Sequence, residues 1–385
     1  MKILLFANTD WYLYNFRLGL AQDLRVSGNQ VILLSPPGEF QERIREAGFH
    51  WISFPLSRQG TNPLFELWTL FRLWRVYAQV QPDLVHHFTI KPVIYGSLAA
   101  KLLRIPAIVN SITGLGHLFI DERGSVRLLR WVAKLLYRFS LRGTQVVFEH
   151  EEDRQTFLKN NLVAPEQAHL IMGTGVDVET FQPHPTHNPV PVVLFAGRML
   201  TTKGLPEFIE AARLLTQQDV QARLAVAGNA DPGNPASIPA NQIEKWKQVD
   251  YVEWWGWQPD MATTLASVDI FCLPSHREGV SNALTEACAA GLPIVTTDVP
   301  GCRSVVTNNK NGFLVPVNDP PALAEALRKL ISDSDLRVQM GKAGRQIAVE
   351  RFSQERVLAE QIAIYQKLQP SLYTNASNSA HPPLK

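Results

Sequence analysis

The sequence has little charge and no excess of either sign, which excludes a protein built to bind polyanions along its whole surface. Charged residues make up 19% of its 385 residues, below the roughly 25% of an average soluble protein. Lys and Arg number 37 against 35 Asp and Glu, so the formal net charge is only +2. Because nucleic-acid-binding domains usually carry a clear positive charge, we expect no nucleic-acid partner.

Cysteine and long hydrophobic runs are also scarce. The three cysteines, Cys272, Cys288 and Cys302, lack metal-ligand spacing and stand in apolar surroundings, so they predict reduced, buried thiols and favour a cytoplasmic protein. No stretch reaches the roughly 18 apolar residues of a membrane span. The apolar run 3–7 ends at Asn8, too early for a signal peptide, and indicates a first buried strand. Any membrane contact is therefore expected to be peripheral.

The sequence motifs of several common enzyme classes are missing as well. The turn after the first strand reads Ala7-Asn8-Thr9-Asp10-Trp11-Tyr12. Dinucleotide-binding enzymes have G-x-G-x-x-G there, which lets the backbone approach a pyrophosphate. The chain also lacks a P-loop, a nucleophile elbow and a His/Glu metal-binding helix. These absences argue against a nicotinamide- or flavin-dependent oxidoreductase.

Short strands alternate with helices in two series, a pattern typical of α/β proteins with doubly wound parallel sheets. The length is that of two domains. A first helix is predicted from Asn15 to Ser27, closed by Gly28. The predicted strands are residues 3–6, 31–35, 51–55, 84–88, 107–112, 145–149 and 169–172 in the first series, and 192–196, 223–227, 251–254, 269–273, 293–297 and 313–315 in the second.

The proline-rich segment Gln182–Pro191 separates the two series and is typical of a linker. Ligands of such sheets bind beyond the carboxyl ends of the strands, so a cleft between two facing domains is the expected site. The predicted organisation is an N-terminal Rossmann-like domain over 1–182, a linker over 183–191, a C-terminal Rossmann-like domain over 192–352, a helix over 353–369 whose return to the N-terminal domain is left open, and a disordered tail over 370–385.

An anion site is predicted after the strand at 269–273. The chain turns at Gly279 and opens a helix with Ser281 as its expected N-cap. The free amides of Gly279–Asn282 and the helix dipole would then point at one spot. The dipole contributes about 0.3 to 1 kcal/mol at an exposed site, enough to orient a phosphate but too little to hold it alone.

Two cations are placed to complete that site. Arg198 and Lys203 lie in a Gly-flanked loop after the strand at 192–196, from which both would reach one diphosphate. Taken singly, these cations and the nearby Glu278 are better interpreted as solvated surface charges. Taken together, on two neighbouring strand ends, they favour a binding site.

At these residues the sequence strongly resembles the retaining glycosyltransferases of family 4, which have the GT-B architecture of two Rossmann-like domains around a cleft. The resemblance covers nearly the whole chain, and its motifs are specific in combination. Glu278 and Glu286 match the E-x7-E motif of the family. Its other elements are matched by Gly197-Arg198, by Lys203-Gly204, and by Gly175-Val176-Asp177 with Phe181.

The resemblance implies a role for each matched residue. Glu278 contacts the donor sugar, Glu286 holds the ribose, and Arg198 and Lys203 neutralise the departing diphosphate. It implies a front-face reaction that retains the anomeric configuration, without a covalent intermediate. No divalent metal or other cofactor is expected. The donor-binding set is Gly197, Arg198, Lys203, Glu278, Gly279, Val280, Ser281, Asn282 and Glu286.

The N-terminal half narrows the resemblance to a branch with a UDP-linked N-acetylhexosamine or hexose as donor and a polyprenyl-diphosphate-linked acceptor for surface glycans. Its motifs are 8–17, His86–Pro92 and Thr113–Gly116. Many members carry a histidine where this chain has Thr113. His117, four residues on, is an alternative catalytic residue, although packing within the Gly-rich loop is at least as good an interpretation. Asn8, Thr9, Asp10, Lys91 and Thr113 are acceptor-side candidates, with turn chemistry as the alternative for the first three.

Two helical segments raise the question of a membrane surface. The residues from 127 to 142 place cations at three- and four-residue intervals among apolar residues, without an acid, and this pattern favours contact with anionic lipid at the inner face of the plasma membrane. The segment Leu64–Tyr77 is apolar nearly all round, and membrane contact and ordinary packing are equally good interpretations. The candidate membrane-binding cations are Arg127, Arg130, Lys134, Arg138 and Arg142.

Two other functions stay open at this point. A UDP-sugar 2-epimerase shares the two-domain architecture and the UDP-sugar pocket but needs no acceptor, and the G-R, K-G and E-x7-E set argues against it. A non-catalytic nucleotide-sugar-binding regulator is made conceivable by Thr113 in place of the histidine.

Overall fold

The structure is a computed structural model and describes residues 1–57, 62–114, 127–184, 188–231, 234 and 236–369, with only the backbone of 63 and 127–130. The chain divides into two compact units. Unit 1 is Met1–Ile171 together with the chain from Leu358 on, and unit 2 is Met172–Val357. His117 and the tail over 370–385 lie outside the described residues.

Unit 1 is built on a parallel sheet of seven strands in the order β3-β2-β1-β4-β5-β6-β7. The order reverses at β1, as in doubly wound folds. Its strands are β1 (Lys2–Phe6), β2 (Gln30–Ser35), β3 (His50–Ser53), β4 (Leu84–Phe88), β5 (Ala107–Ile112), β6 (Gln145–Phe148) and β7 (Ala168–Leu170), and its helices are α1 (Asp10–Val26), α2 (Gln41–Glu46), α3 (Pro63–Val80), α4 (Ser97–Leu102), α5 (Arg127–Leu141) and α6 (Glu151–Lys159).

Helices α3, α4 and α5 lie side by side, because α4 contacts both of its neighbours. Successive residues of a strand point to opposite faces of the sheet, so the two histidines of β4 identify the face that α3 covers. The Nε2 of His87 lies 3.0 Å from the hydroxyl of Tyr77 on α3. His86 points the other way, with its Nε2 2.8 Å from the hydroxyl of Ser111. Burial lowers the pKa of both imidazoles, so both are neutral members of the core.

Unit 2 is built on a second parallel sheet, of six strands in the order β10-β9-β8-β11-β12-β13. Its core contains the three cysteines, which are buried and free, as predicted. The strands are β8 (Val192–Ala196), β9 (Arg223–Ala227), β10 (Glu253–Gly256), β11 (Ile270–Leu273), β12 (Ile294–Thr297) and β13 (Gly312–Val315), and the helices are α7 (Leu205–Gln217), α8 (Ala240–Lys247), α9 (Met261–Ala266), α10 (Asn282–Ala289), α11 (Pro300–Val305), α12 (Pro320–Ser332), α13 (Ser334–Ile347) and α14 (Gln354–Leu368).

The predicted strands are all present, in two parallel sheets, so the predicted fold class is confirmed. Two elements are displaced from their predicted positions. Helix α1 begins at Asp10 and not at Asn15, because Thr9 caps it by accepting the amide of Tyr12 at 3.1 Å. Strand β10 begins two residues later than predicted, with an irregular register after Trp254.

The predicted end of the N-terminal domain at residue 182 is wrong, because the chain joins unit 2 at Met172. Val176 is hydrogen-bonded through its backbone to Phe352 and Gln354, at 2.8 and 2.9 Å. The guanidinium of Arg345 donates to the carbonyls of Val178 and Phe181, both at 2.8 Å. These bonds hold the segment 172–182 on unit 2.

Helix α14 begins in unit 2 and ends in unit 1, where the division between the units falls at Leu358. Its Tyr365 is fully buried in unit 1, and its hydroxyl lies 2.5 Å from the Nδ1 of His86. The last helix therefore does return to the N-terminal unit.

Candidate active site

The carboxyl ends of β8 and β11, which are adjacent in the sheet of unit 2, bring two predicted site residues together. The Nζ of Lys203 lies 2.5 Å from the Oε1 of Glu278. The same carboxylate oxygen accepts a bond from the hydroxyl of Ser275 at 2.7 Å. The side chain of Glu278 is only 7% exposed, and a buried carboxylate requires such partners. The pair is thus held in place before any ligand arrives.

Backbone amides flank this pair. Helix α10 has Ser281 at its N-cap as predicted, but the hydroxyl of Ser281 makes no capping bond. The amides of Gly279, Val280, Ser281 and Asn282 donate to no acceptor within the described residues. Free amides at a helix N-terminus form an anion site. The loop therefore offers four donors to a negatively charged group.

Tight packing of the neighbouring loops sets the position of these amides. Gly301, at the start of α11, approaches the carbonyls of Gly279 and Glu278 so closely that an added Cβ would lie 2.1 and 2.4 Å from their oxygens. Gly204, which follows Lys203, has a φ of 77° and faces the carbonyl of Pro274 in the same way, at 2.0 Å. Only glycine fits at these two positions. The carbonyls of the loop are buried against neighbouring backbone.

Glu286 lies inside α10, one turn beyond the N-cap. Its half-buried carboxylate has no hydrogen-bond partner in the part of the chain that the structure describes. Burial raises the pKa of Glu286 to about 7. A ligand that donates hydrogen bonds to such a carboxylate stabilises its charged form, because these bonds replace the bonds to water that burial removed. Glu286 is therefore suited to hold a pair of hydroxyls.

Arg198 is placed more loosely than Lys203. Its side chain is 56% exposed, and its Nη1 donates to the carboxylate of Asp231 at 2.8 Å. Exposed ion pairs of this kind contribute about 0 to 1 kcal/mol, so the pair opens at little cost. The guanidinium is available to an anion that competes with Asp231.

Unit 1 has a cavity of its own at the carboxyl edge of its sheet. It has a volume of about 220 Å³ and is lined by residues that follow β1, β4 and β5. Three of the acceptor-side candidates line it: Asn8, Lys91 and Thr113. Lys91 donates to the carboxylate of Glu66 on α3 at 2.5 Å. The structure thus brings these three predicted residues to one place.

Thr9 and Asp10 belong to the turn itself. The hydroxyl of Thr9 caps α1. Asp10 is buried, and its two oxygens accept the amides of Trp11 and Phe40, both at 2.8 Å. For these two residues the structure supports the alternative of turn chemistry.

Comparisons with known proteins agree with this layout. The sequence model described as Glycosyl transferases group 1 matches residues 177–347, and the one described as Glycosyl transferase 4-like matches residues 2–151. The chain is a glycosyltransferase of the family 4 type, with the GT-B fold.

Two relatives match this glycosyltransferase over most of their length. The N,N'-diacetylbacillosaminyl-diphospho-undecaprenol alpha-1,3-N-acetylgalactosaminyltransferase of Campylobacter jejuni is 27% identical over 96% of this chain and 99% of its own. The UDP-Gal:alpha-D-GlcNAc-diphosphoundecaprenol alpha-1,3-galactosyltransferase of Escherichia coli is 26% identical over 78% of this chain and 79% of its own.

Solved structures share the fold. A glycosyltransferase from Rickettsia africae superposes with a TM-score of 0.79 at 20% identity, covering 98% of this chain and 99% of its own. The HepE protein of Anabaena in complex with UDP superposes with a TM-score of 0.77 at 19% identity, covering 95% of this chain and 100% of its own.

Thr89 lines the unit 1 cavity of the glycosyltransferase, but sequence reasoning did not name it as a candidate site residue. Thr89, which follows β4, has a φ of 72°, a costly conformation for a β-branched residue. Its hydroxyl is buried and has no hydrogen-bond partner among the described residues. The only sequence signal is a threonine placed directly after a buried strand, and such a signal cannot show a positive φ.

The two candidate membrane helices of the glycosyltransferase both expose large apolar side chains. On α5, Trp131 and Phe139 are 62% and 60% exposed, beside the exposed Arg138 and Arg142. Lys134 differs, because it is half-buried and donates to the side chain of Asn160 at 2.8 Å. The side chains of Arg127 and Arg130 lie outside the described part of α5. On α3, the exposed apolar residues are Leu64, Phe65, Leu67, Trp68 and Phe71.

Proposed function

We propose that this glycosyltransferase moves an N-acetylhexosamine or a hexose from a UDP-sugar to a polyprenyl-diphosphate-linked glycan, with retention of the anomeric configuration. The observation that carries the proposal is the paired Lys203 and Glu278 beside the free amides of 279–282. Relatives that match most of the chain are named for sugar transfer to diphospho-undecaprenol-linked acceptors.

The proposed site stabilises the departing UDP. Lys203, Arg198 and the four amides neutralise the negative charge that grows on the diphosphate as the glycosidic bond breaks, and preorganised donors of this kind supply much of an enzyme's rate enhancement. Glu278 accepts hydrogen bonds from the sugar hydroxyls, and Glu286 accepts them from the ribose. The acceptor hydroxyl forms the new bond on the face that the UDP leaves, and its proton passes to the departing phosphate oxygen.

We also propose that the reaction requires no divalent metal. The charge that a metal would supply comes from Lys203 and Arg198 and from the helix N-terminus of α10. Addition of EDTA should leave turnover unchanged. Loss of turnover with EDTA and recovery with Mg²⁺ or Mn²⁺ would show that this part of the proposal is wrong.

The acceptor side of the proposal is assigned to unit 1. The cavity lined by Asn8, Thr89, Lys91 and Thr113 is the binding site that we propose for the acceptor end. The exposed apolar and basic face of α5 is proposed to contact an anionic membrane surface, which gives access to a lipid-linked acceptor. No helix among the described residues has the length and hydropathy needed to cross a bilayer.

Turnover assays with a panel of UDP-sugars test the central proposal. UDP-GalNAc, UDP-GlcNAc, UDP-Gal and UDP-Glc are each incubated with and without a polyprenyl-diphosphate-linked glycan, and UDP release is measured. We expect release that depends on the acceptor, and an axial anomeric linkage in the product. Isomerisation of the UDP-sugar without acceptor would indicate an epimerase, and binding without turnover would indicate a regulator.

A further inference from the structure

Unit 1 has a second, larger pocket, which shares no lining residue with the acceptor cavity. It has a volume of about 760 Å³, within the range of pockets that hold a small organic ligand and far above that needed for a bare ion. The pocket lies at the turns that lead from α4 into β5 and from α5 into β6. Its lining residues are Lys101, Arg104, Ile105, Pro106, Ile108, Phe139, Arg142, Gly143 and Leu368.

The pocket opens at the amino edge of the sheet, opposite the acceptor cavity. Arg104 and Pro106 precede β5, whereas Thr113 and Gly114 of the acceptor cavity follow the same strand. Strand β5 has six residues, and at about 3.3 Å per residue its ends are roughly 20 Å apart. A ligand in this pocket is therefore not the glycan end of the acceptor in the cavity.

The pocket concentrates positive charge, although Lys101 donates to the backbone carbonyl of Phe139 at 2.5 Å. It contains three cations, Lys101, Arg104 and Arg142, and no acid. None of the three forms an ion pair with any carboxylate in the described ranges. Burial, and to a smaller extent the charge of Arg142, lower the pKa of Lys101 to about 8, because its charged form loses water and lies near a like charge. An anion between them would relieve this repulsion.

The rest of the lining is apolar, and an apolar surface continues beyond it. The wall is completed by Ile105, Pro106, Ile108, Phe139, Gly143 and Leu368. Leu102, which follows Lys101 in the chain, is 68% exposed. Phe139 belongs both to the pocket and to the exposed face of α5. A free phosphate would use the cations only, whereas a phosphate with an apolar substituent would use both parts.

We propose that this pocket binds the phosphate head group of an anionic lipid, with the acyl chains directed along Phe139 and the exposed face of α5. The site itself does not depend on glycosyl transfer. Only the membrane as the source of the ligand rests on the proposed function.

Calorimetric titration of the full chain, without UDP-sugar, tests the proposal. The probes are dihexanoyl phosphatidic acid, dihexanoyl phosphatidylcholine and inorganic phosphate, with both lipids below their critical micelle concentrations. We expect phosphatidic acid to bind at least tenfold more tightly than either of the other two. Equal binding of inorganic phosphate would overturn the lipid as ligand, and the absence of binding by all three probes would overturn the site.

Arg104→Gly is the most informative variant. Arg104 has a φ of 54°, so glycine removes the cation and relaxes the backbone, and folding should not suffer. Gln81→Gly is the matched control, because Gln81 ends α3 with a φ of 49° and does not line the pocket. We expect affinity for phosphatidic acid to fall about tenfold in Arg104→Gly and in Arg142→Gln, as for the loss of one charged contact. Unchanged affinity in both variants would contradict the proposal.

Discussion

The nucleotide site of unit 2 and the α5 surface of unit 1 differ in whether their cations are paired with carboxylates. In unit 2, Lys203 and Arg198 each form an ion pair with a carboxylate, Glu278 and Asp231. On and directly after α5 in unit 1, Arg138 and Arg142 have no such partner within the described residues. Paired cations are held at defined positions for one small ligand, and opposite charge reduces their long-range field. Cations without such a partner attract any negatively charged group that approaches, so they are better suited to bind a charged surface than to position one small ligand.

Lys203→Ala should have the largest effect, because it removes the best-placed cation and leaves Glu278 buried without its counter-ion. We expect kcat/KM to fall roughly a hundred- to a thousandfold, as for the removal of one preorganised donor. The measurement is acceptor-dependent UDP release. Lys247→Ala, which removes an exposed lysine paired with Glu244, is the control. A loss smaller than threefold would mean that Lys203 does not serve the leaving group.

Arg138→Glu tests the opposite region. The substitution changes the charge of the exposed face of α5 by two, and each charge near an anionic membrane contributes about 1 kcal/mol. We therefore expect binding to phosphatidylglycerol-containing vesicles to weaken about tenfold or more, and added salt to reduce the difference. Arg328→Glu on α12 carries the same charge change in unit 2, and it should cosediment with vesicles like the parent chain. Equal cosedimentation of both variants would rule out α5 as the membrane face.

Glu286 gives a pH dependence that distinguishes the nucleotide site from a surface charge. Its raised pKa of about 7 means that the carboxyl is mostly protonated at pH 6 and mostly ionised at pH 8. Ribose hydroxyls donate to the ionised form, so UDP-sugar affinity should rise about tenfold from pH 6 to pH 8. Calorimetry of Glu286→Gln should show weaker binding without this rise. A rise that persists in the variant would assign the titration to another group.

Arg198→Gln should have the smallest effect. The side chain is exposed and shared with Asp231, so we expect the affinity for UDP-sugar to fall about threefold to fivefold. Asp231→Asn frees Arg198 and should raise the affinity slightly. An equal loss in Arg198→Gln and Lys203→Ala would contradict the proposal that the more buried Lys203 contributes more to the site than the exposed Arg198.

Much of the fold follows from local patterns in the sequence. Runs of buried residues at β8 and β11, each followed by a glycine-containing turn, placed Lys203 and Glu278 at neighbouring strand ends, and the structure brings them into contact. The missed boundary at Met172 has a different cause. The contacts of Arg345 with Val178 and Phe181 join residues more than 160 positions apart, and no local pattern reports such pairs.

The sequence by itself determined the two parallel sheets and the identity of the charged groups at their edges, because hydrophobic periodicity and turn residues act over a few positions. Only the tertiary structure decided the state of each group. It left the half-buried Glu286 without a hydrogen-bond partner among the described residues, held Thr89 at a positive φ, and collected Lys101, Arg104 and Arg142 around one pocket. Burial, strain and charge repulsion depend on which distant residues surround a group, so they arise only when the chain has packed.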